Sequence, residues 1–155
     1  MSEAQTREAR HTGGCQCGGV RFASYVEPVK IGVCHCRMCQ RATSSPFSVL
    51  VEIPRADFEW TTGAPATFQS SSRAERDYCR DCGSPLSFRF VDGDIIELLV
   101  CAFDNPSALP PTYVVGAESK VHWLETLESL PSKTTLENAG ADAVAALRSC
   151  QSKIE

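Results

Sequence analysis

The sequence predicts a single, mainly β domain, and three observations lead to that prediction. Between Gly18 and Val115, short apolar or alternating segments rich in Val, Ile and Phe follow one another between turn residues. The chain has 155 residues, 43% of them hydrophobic and 22% charged, which is typical of one globular domain. Beyond Pro131 the composition becomes alanine-rich and favours helix. We therefore expect small antiparallel sheets followed by a short C-terminal helix or tail.

The segments that we predict as strands can be given in chain order. They are VRFASYV, IGVCHC, PFSVLVEI, DFEW, TFQ, LSFRFV and IIELLV. Proline, glycine and aspartate separate them, and VDGD between the last two predicts a hairpin turn.

The two ends of the chain differ from this central region. Residues 1–12 are polar and lack periodicity, which predicts a flexible leader, although part of it could form a sheet edge. Residues 13–131 form the predicted β domain. Residues 132–155 are predicted to be a helical or partly ordered tail, in which Thr134 and Glu137 have the spacing of a capping box.

Charge and hydropathy argue against two classes of partner. Fifteen basic and nineteen acidic side chains leave no excess positive potential for a phosphate backbone, so we expect no nucleic-acid partner. No stretch approaches the roughly 18 apolar residues of a membrane span, and the amino terminus lacks the apolar core of a signal peptide. We expect a cytoplasmic protein without a membrane partner. Because that compartment keeps thiols reduced, clustered cysteines there are metal ligands more often than disulfides.

Seven of the nine cysteines fall into three clusters, which are GCQCGG, CHCRMC and YCRDCG. Short CxC and CxxC spacings bring thiolates to one zinc ion with little loss of chain entropy. A closed structural zinc site consumes four thiolates, so seven leave a second site one protein thiolate short, as in a catalytic centre. The sequence therefore predicts two zinc ions, one in a closed site and one in an open site.

Local geometry separates some candidate ligands from others. On a strand, Cys34 and Cys36 point to the same side and His35 to the opposite side, so we expect His35 to be a core or hydrogen-bonded histidine. The sequence CRDCG resembles a zinc knuckle, in which Gly83 eases the turn, and we assign Cys79 and Cys82 to a structural site.

Two cysteines lie outside the clusters. Cys101 and Cys150 have no neighbouring ligand in the sequence, and we expect both to be buried or idle thiols. Cys101 remains an alternative fourth ligand of the open site, reached from afar, and so does a carboxylate.

Three ordered motifs, GGCQCGGVRF, CHCRMCQRATSSPF and YCRDCGSPLSF, resemble those of the glutathione-dependent formaldehyde-activating enzyme family. The later segments FDNPSALPPTYV and SKVHWLETLESLP also look like that family. The resemblance implies an Mss-four-like fold, in which small sheets are stapled by two zincs. It implies a structural zinc on Cys15, Cys17, Cys79 and Cys82, and a catalytic zinc on Cys34, Cys36 and Cys39. The chain departs from the family pattern at Ser44 and Cys101, where glycines are common.

The resemblance also implies a reaction, namely the addition of a thiol to an aldehyde to give S-hydroxymethylglutathione, and the reverse cleavage as a carbon–sulfur lyase. The partners would be small-molecule thiols and aldehydes. Arg73 and Arg76 have the shape to bind a glutathione carboxylate, although a solvated surface role is the more common one. The residues do not select a general acid or base among the candidates Asp77, Asp81, Asp104 and Glu118.

Two other classes of function remain as alternatives. In a noncatalytic, zinc-stapled protein-binding module, a fourth protein ligand such as Cys101 or His35 would close the second site. A zinc-ribbon nucleic-acid binder is disfavoured by the sequence pI of about 5.4. The sequence does not predict the oligomeric state.

Overall fold

The computed structural model describes residues 7–153 and confirms a mainly β fold. The strands are β1 (His11–Gly14), β2 (Arg21–Ser24), β3 (Lys30–Cys34), β4 (Ser48–Pro54), β5 (Phe58–Thr62), β6 (Ala66–Ser71), β7 (Ala74–Tyr78), β8 (Pro85–Phe90), β9 (Ile95–Leu99) and β10 (Tyr113–Val115). They form a three-stranded sheet of order β1-β2-β5 and a seven-stranded sheet of order β10-β3-β4-β9-β8-β7-β6. The β8–β9 hairpin forms where VDGD predicts it.

Three of these strands are absent from the sequence prediction. The first, β1, begins at His11 inside the predicted leader and pairs antiparallel with β2 at the sheet edge. The second, β7, is the segment AERDY, in which the charged residues Arg76 and Asp77 are buried, so no apolar alternation marks it as a strand. The third, β10, has only three residues and pairs with β3 in parallel, next to antiparallel neighbours. Residues 1–6 of the predicted leader and 154–155 of the predicted tail lie outside the described residues.

The main core lies between the two sheets. Phe22 of β2 packs in one cluster with Val51 and Ile53 of β4 and with Ile96 and Leu98 of β9. Since side chains alternate along a strand, these inward residues leave the intervening positions of β4 and β9 on the opposite face of the seven-stranded sheet. That outer face carries the cavity described below.

Three α-helices complete the fold: α1 (Arg37–Thr43), α2 (Thr135–Ala139) and α3 (Ala141–Ala146). Helix α2 begins at the predicted capping box of Thr134 and Glu137, and α2 and α3 are exposed. Short 3₁₀ helices span Arg55–Asp57, Val100–Ala102, Pro106–Ala108, Ala117–Ser119 and His122–Ser129. Within residues 7–153, no helix has both the length and the apolar character needed to cross a membrane.

Helix α1 ends at Ser44, one of the two positions where the family commonly has glycine. Ser44 has φ 50° and ψ 37°, and its amide donates to the carbonyl of Gln40. It is the single non-glycine residue with positive φ in the described part of the chain. Glycine adopts this left-handed conformation without the steric strain that a Cβ introduces. The Cβ of Ser44 therefore strains this end of the helix.

Candidate metal centres and cavity

Two turns bring four cysteines together at the junction of the two sheets. Cys15 and Cys17 lie in the β1–β2 connection, and Cys79 and Cys82 lie in the β7–β8 connection. Their four sulfur atoms all lie within 4.8 Å of one another. Gly83 has φ 74°, as the knuckle-like turn requires, and its amide donates to the carbonyl of Cys79. This four-cysteine centre therefore links the three-stranded sheet to the seven-stranded one.

The sulfur positions of the four-cysteine centre fit a tetrahedral ion. Cys15 Sγ lies 3.5 Å from Cys17 Sγ, which lies 3.8 Å from Cys79 Sγ. Sulfurs bound to one zinc at about 2.3 Å are separated by about 3.8 Å in a tetrahedron. The Val20 amide donates to Cys15 Sγ at 3.2 Å, as backbone amides do around metal-bound thiolates. These four thiols could therefore hold a metal ion with no position left for a further ligand.

The thiol of Cys82 is prepared for metal binding by its neighbours. Burial raises the pKa of Cys82, but hydrogen bonds from the hydroxyl and amide of Ser84, together with those from the Cys17 amide and the Cys79 thiol, outweigh that effect and bring the pKa to about 6. Because a metal binds the thiolate, a lowered pKa reduces the competition from protons.

A second group, the three-cysteine centre, consists of Cys34, Cys36 and Cys39, whose sulfurs also lie within 4.8 Å of one another. Cys34 ends β3, Cys36 is the N-cap of α1, and Cys39 is buried in the first turn of that helix. The Cys39 amide donates to Cys36 Sγ at 3.4 Å. One strand-to-helix junction therefore supplies all three thiols.

The strand β10 and the turn after it hold this junction in place. The His35 amide donates to the carbonyl of Val115, and Gln40 Nε2 donates to the carbonyl of Ser119. Gly116 has φ 66°, and a Cβ there would lie 2.7 Å from the Cys36 nitrogen. Only glycine allows the chain to pass so close to the ligand backbone.

Two thiols of this centre, those of Cys34 and Cys36, differ in acidity. Burial raises the pKa of Cys34 to about 12. Burial acts in the same direction on Cys36, but hydrogen bonds from the Cys39 amide and from the neighbouring thiols lower its pKa. Cys36 therefore forms a thiolate more readily than Cys34.

Arg76 contacts the three-cysteine centre directly, which corrects the expectation of a solvated surface role for it. Its side chain is buried, donates to Cys39 Sγ at 3.4 Å, and lies with Cζ 4.8 Å from the centroid of the Phe88 ring. Arg73, by contrast, is exposed. A guanidinium held against thiolates offsets their negative charge, so Arg76 serves this centre from within the protein.

The three-cysteine centre lies at a cavity of about 320 Å³ on the outer face of the seven-stranded sheet. Most of the wall is apolar, and it includes Leu50, Phe88, Phe90 and Val115. Arg76, Glu97 and Tyr113 supply the polar part of the wall apart from the cysteines and Ser71. A cavity of this size and character lies at the small end of the range for ligand sites.

Glu97 is a polar wall residue that the sequence analysis missed. Burial raises the pKa of Glu97 to about 7, repulsion by Glu52 acts in the same direction, and Arg76 opposes both. The segment IIELLV reads as a strand, and alternation alone would place Glu97 opposite the core residues Ile96 and Leu98. The sequence does not reveal that the outer face of the seven-stranded sheet carries the cavity that Glu97 lines.

Two of the sequence's acid–base candidates are engaged in ion pairs. Asp77 is buried and accepts hydrogen bonds from Ser87 and Arg89. Arg21 donates to both carboxylate oxygens of Asp104, and this hydrogen bonding is the main cause of the lowered pKa of Asp104. Both carboxylates therefore have structural partners.

The two alternative fourth ligands lie apart from the three thiols. His35 is buried and packs edge-on against Phe47 at 5.6 Å between ring centroids, which confirms that it is a core residue. Its Nδ1 has no hydrogen-bond partner in the described part of the chain. Cys101 is exposed and lines a different cavity, of about 490 Å³, which borders Cys15. Among residues 7–153, neither joins the three-cysteine group.

Comparison with known proteins identifies the family to which this site geometry can be related. The sequence matches the glutathione-dependent formaldehyde-activating enzyme family over residues 10–119. It is 32% identical over 85 residues to an uncharacterised lyase of Schizosaccharomyces pombe, and that match spans 54% of this chain and 60% of the relative. The crystal structure of a Rhodobacter sphaeroides protein is similar in fold, with a TM-score of 0.55 and 20% identity over 67% of this chain and 99% of the other.

Proposed function

Because the chain belongs to the glutathione-dependent formaldehyde-activating enzyme family, we propose that it is a zinc-dependent carbon–sulfur lyase that adds a thiol to a small aldehyde. Glutathione and formaldehyde, or a similar pair, would be the substrates, and the reverse reaction would cleave the adduct. The family match and the name of the S. pombe relative support an enzyme of the lyase kind. The proposal includes a cytoplasmic location, where thiols stay reduced.

The observation that carries the proposal is the contrast between the two cysteine groups. Four thiols complete the coordination of a zinc ion, whereas three leave a position for an exchangeable ligand. The incomplete group also borders a cavity, so a small molecule has access to it. We therefore assign a structural zinc to the four-cysteine centre and a catalytic zinc to Cys34, Cys36 and Cys39.

A zinc ion at the three-cysteine centre would supply Lewis acidity, which stabilises a thiolate or the charge that develops on an aldehyde oxygen. The surrounding residues would contribute charge compensation and an apolar environment. Arg76 offsets part of the negative charge of the thiolates through its contact with Cys39. Phe88 and Leu50 give the cavity an apolar wall, which lowers the local dielectric and so strengthens the electrostatic interactions beside it.

The first experiment measures hydroxymethyl exchange between formaldehyde and glutathione by two-dimensional exchange NMR. The zinc-loaded protein should accelerate exchange above the spontaneous background, and the zinc-stripped protein should not. Cys36→Ala should abolish the acceleration while the domain stays folded with one zinc. Cys101→Ala is the matched control, because this exposed cysteine lies outside both groups, and it should retain full activity.

Two results would contradict the proposal. Retained turnover in Cys36→Ala would remove the three-cysteine centre from the reaction. Absence of acceleration with a panel of thiols and aldehydes, while two zincs remain bound, would favour the noncatalytic protein-binding module instead.

A further inference from the structure

Glu97 lies on the cavity side of the seven-stranded sheet, within the same wall as the three-cysteine centre. Its neighbours on β9, Ile96 and Leu98, are buried in the core between the sheets. Alternation along the strand therefore directs Glu97 to the opposite face, where it lines the cavity together with Cys34 and Cys39.

The other polar groups on this face are already engaged. Tyr113 donates its hydroxyl to Glu52 Oε1 at 2.7 Å, and Arg76 donates to Cys39 Sγ. Across the strands, Glu97 faces Glu52 on β4 and Phe88 on β8, so neither neighbour offers it a donor. Among the described residues, no side chain donates a hydrogen bond to Glu97. Its carboxyl group is the acidic group of the cavity wall that remains available to a ligand.

The charges around Glu97 keep its proton exchangeable near neutral pH. Burial first, and then repulsion by Glu52, raise its pKa to about 7. The titratable groups on this face are Lys30 and Cys34 of β3, Glu52 of β4, Arg76 of β7 and Tyr113 of β10, with the α1 thiols beside them. The hydrogen bond to Glu52, first, and then burial raise the pKa of Tyr113 to about 12, so its hydroxyl stays protonated. An ideal general acid or base has a pKa close to the working pH.

We propose that Glu97 is the general acid and base of the three-cysteine cavity, moving the proton between the substrate thiol and the hydroxyl oxygen of the adduct. This inference rests on the proposed function. In synthesis, the thiol proton passes to the Glu97 carboxylate, sulfur bonds to the carbonyl carbon, and the C=O π pair moves to oxygen. Glu97 then returns the proton to that oxygen. In cleavage, the hydroxyl proton passes to the Glu97 carboxylate, the electron pair left on oxygen re-forms the C=O bond, and the C–S bond breaks with its pair on sulfur, which then takes the proton from Glu97.

The test compares the zinc-loaded wild type with Glu97→Gln, which keeps the shape and removes the titrating group. We expect the variant to lose about 100-fold in the exchange rate at neutral pH, which is the lower range for removal of a general base. The wild type should also show an acid limb with a midpoint near pH 7 that the variant lacks. Glu59→Gln is the matched control, because Glu59 is an exposed glutamate on β5 of the other sheet. It should keep the wild-type rate and pH profile.

Binding measurements separate a proton-transfer role from a structural one. Zinc content and glutathione affinity by calorimetry should be the same in Glu97→Gln and the wild type, because the proposal places the defect in proton transfer. A variant that loses zinc or affinity in proportion to rate would overturn the inference, as would a variant with an unchanged rate and acid limb. If the wild type itself shows no exchange, both the proposed function and the proposed role of Glu97 are refuted. If the wild type is active and the variant is equally active, only the role of Glu97 is refuted, and the proposed function stands.

Discussion

Removing the carboxyl group of Glu97 should stabilise the folded protein at alkaline pH, whatever reaction the cavity performs. In the folded state burial and Glu52 raise the pKa of Glu97 from 4.5 to about 7. The unfolded chain ionises near the lower value. Between these two pH values the folded state holds a proton that the unfolded state has released, so stability falls as pH rises. Above about pH 7 both states are ionised and the full penalty is present.

The magnitude follows from the two pKa values. Ionisation of Glu97 in the folded state costs about 3 kcal/mol more than in the unfolded chain, before screening is considered. The side chain is only half-buried and opens on the cavity, so solvent screens part of this cost. We therefore expect Glu97→Gln to be more stable than the wild type by about 1 to 2 kcal/mol at pH 8. Below the ordinary pKa of a glutamate, the difference should vanish.

The assay is urea unfolding of the zinc-loaded proteins over a pH series, followed by far-UV circular dichroism. The difference between the variant and the wild type is the relevant quantity, because loss of zinc at low pH affects both proteins alike. Glu59→Gln supplies the control for the substitution itself, and its difference from the wild type should be small and nearly independent of pH. A Glu97→Gln variant whose advantage does not grow between acid and alkaline pH would refute the argument that burial and Glu52 hold this carboxyl protonated.

Three further predictions concern the metal centres and the end of α1. Cys79→Ala should leave about one zinc by elemental analysis and lower the melting temperature far more than Cys36→Ala, and equal losses would contradict the different roles assigned to the two centres. Arg76→Met should weaken zinc binding at the three-cysteine centre by about 10-fold or more in a chelator competition, whereas an unchanged affinity would show that the contact with Cys39 has no effect. Ser44→Gly should raise the free energy of unfolding by about 0.5 to 1 kcal/mol, and destabilisation would mean that strain at this residue is absent.

The sequence predicts most of the fold because apolar alternation marks the buried strands directly. Strands β4 and β9 carry Val, Ile and Leu at core positions, and the segments PFSVLVEI and IIELLV match their observed ends within a few residues. The strands that were missed lack this signal. The segment AERDY is mostly charged, because β7 turns Arg76 toward thiols and Asp77 toward buried partners. The strand structure of this segment depends on partners that are distant in the sequence, and a local sequence pattern does not reveal those partners.

The candidate site, like the fold, is predicted only in part from the sequence. Cysteine spacing predicts that there are metal centres, and the two groups of three and four thiols appear together in the structure. Spacing does not predict that Arg76 is buried against Cys39, or that Glu97 shares a cavity with the same thiols. Both residues lie on other strands, and only the order β3-β4-β9-β8-β7 in the sheet brings them beside the three-cysteine centre.

The different positions of the two centres support the roles proposed for them, stability for the four-cysteine centre and reactivity for the three-cysteine centre. Cys17 and Cys79 are 62 positions apart in the chain, and a metal between them closes a long loop and joins the two sheets. Cys36 and Cys39 are three positions apart, so a metal there restricts little of the unfolded chain. Because the entropy cost of closing a loop grows as the logarithm of its length, a metal that closes the 62-residue loop stabilises the fold by about 2 to 3 kcal/mol more than a metal that closes the three-residue loop. With zinc in both centres, as proposed, ligand exchange at the three-cysteine centre would leave the four-cysteine centre to hold the sheets together.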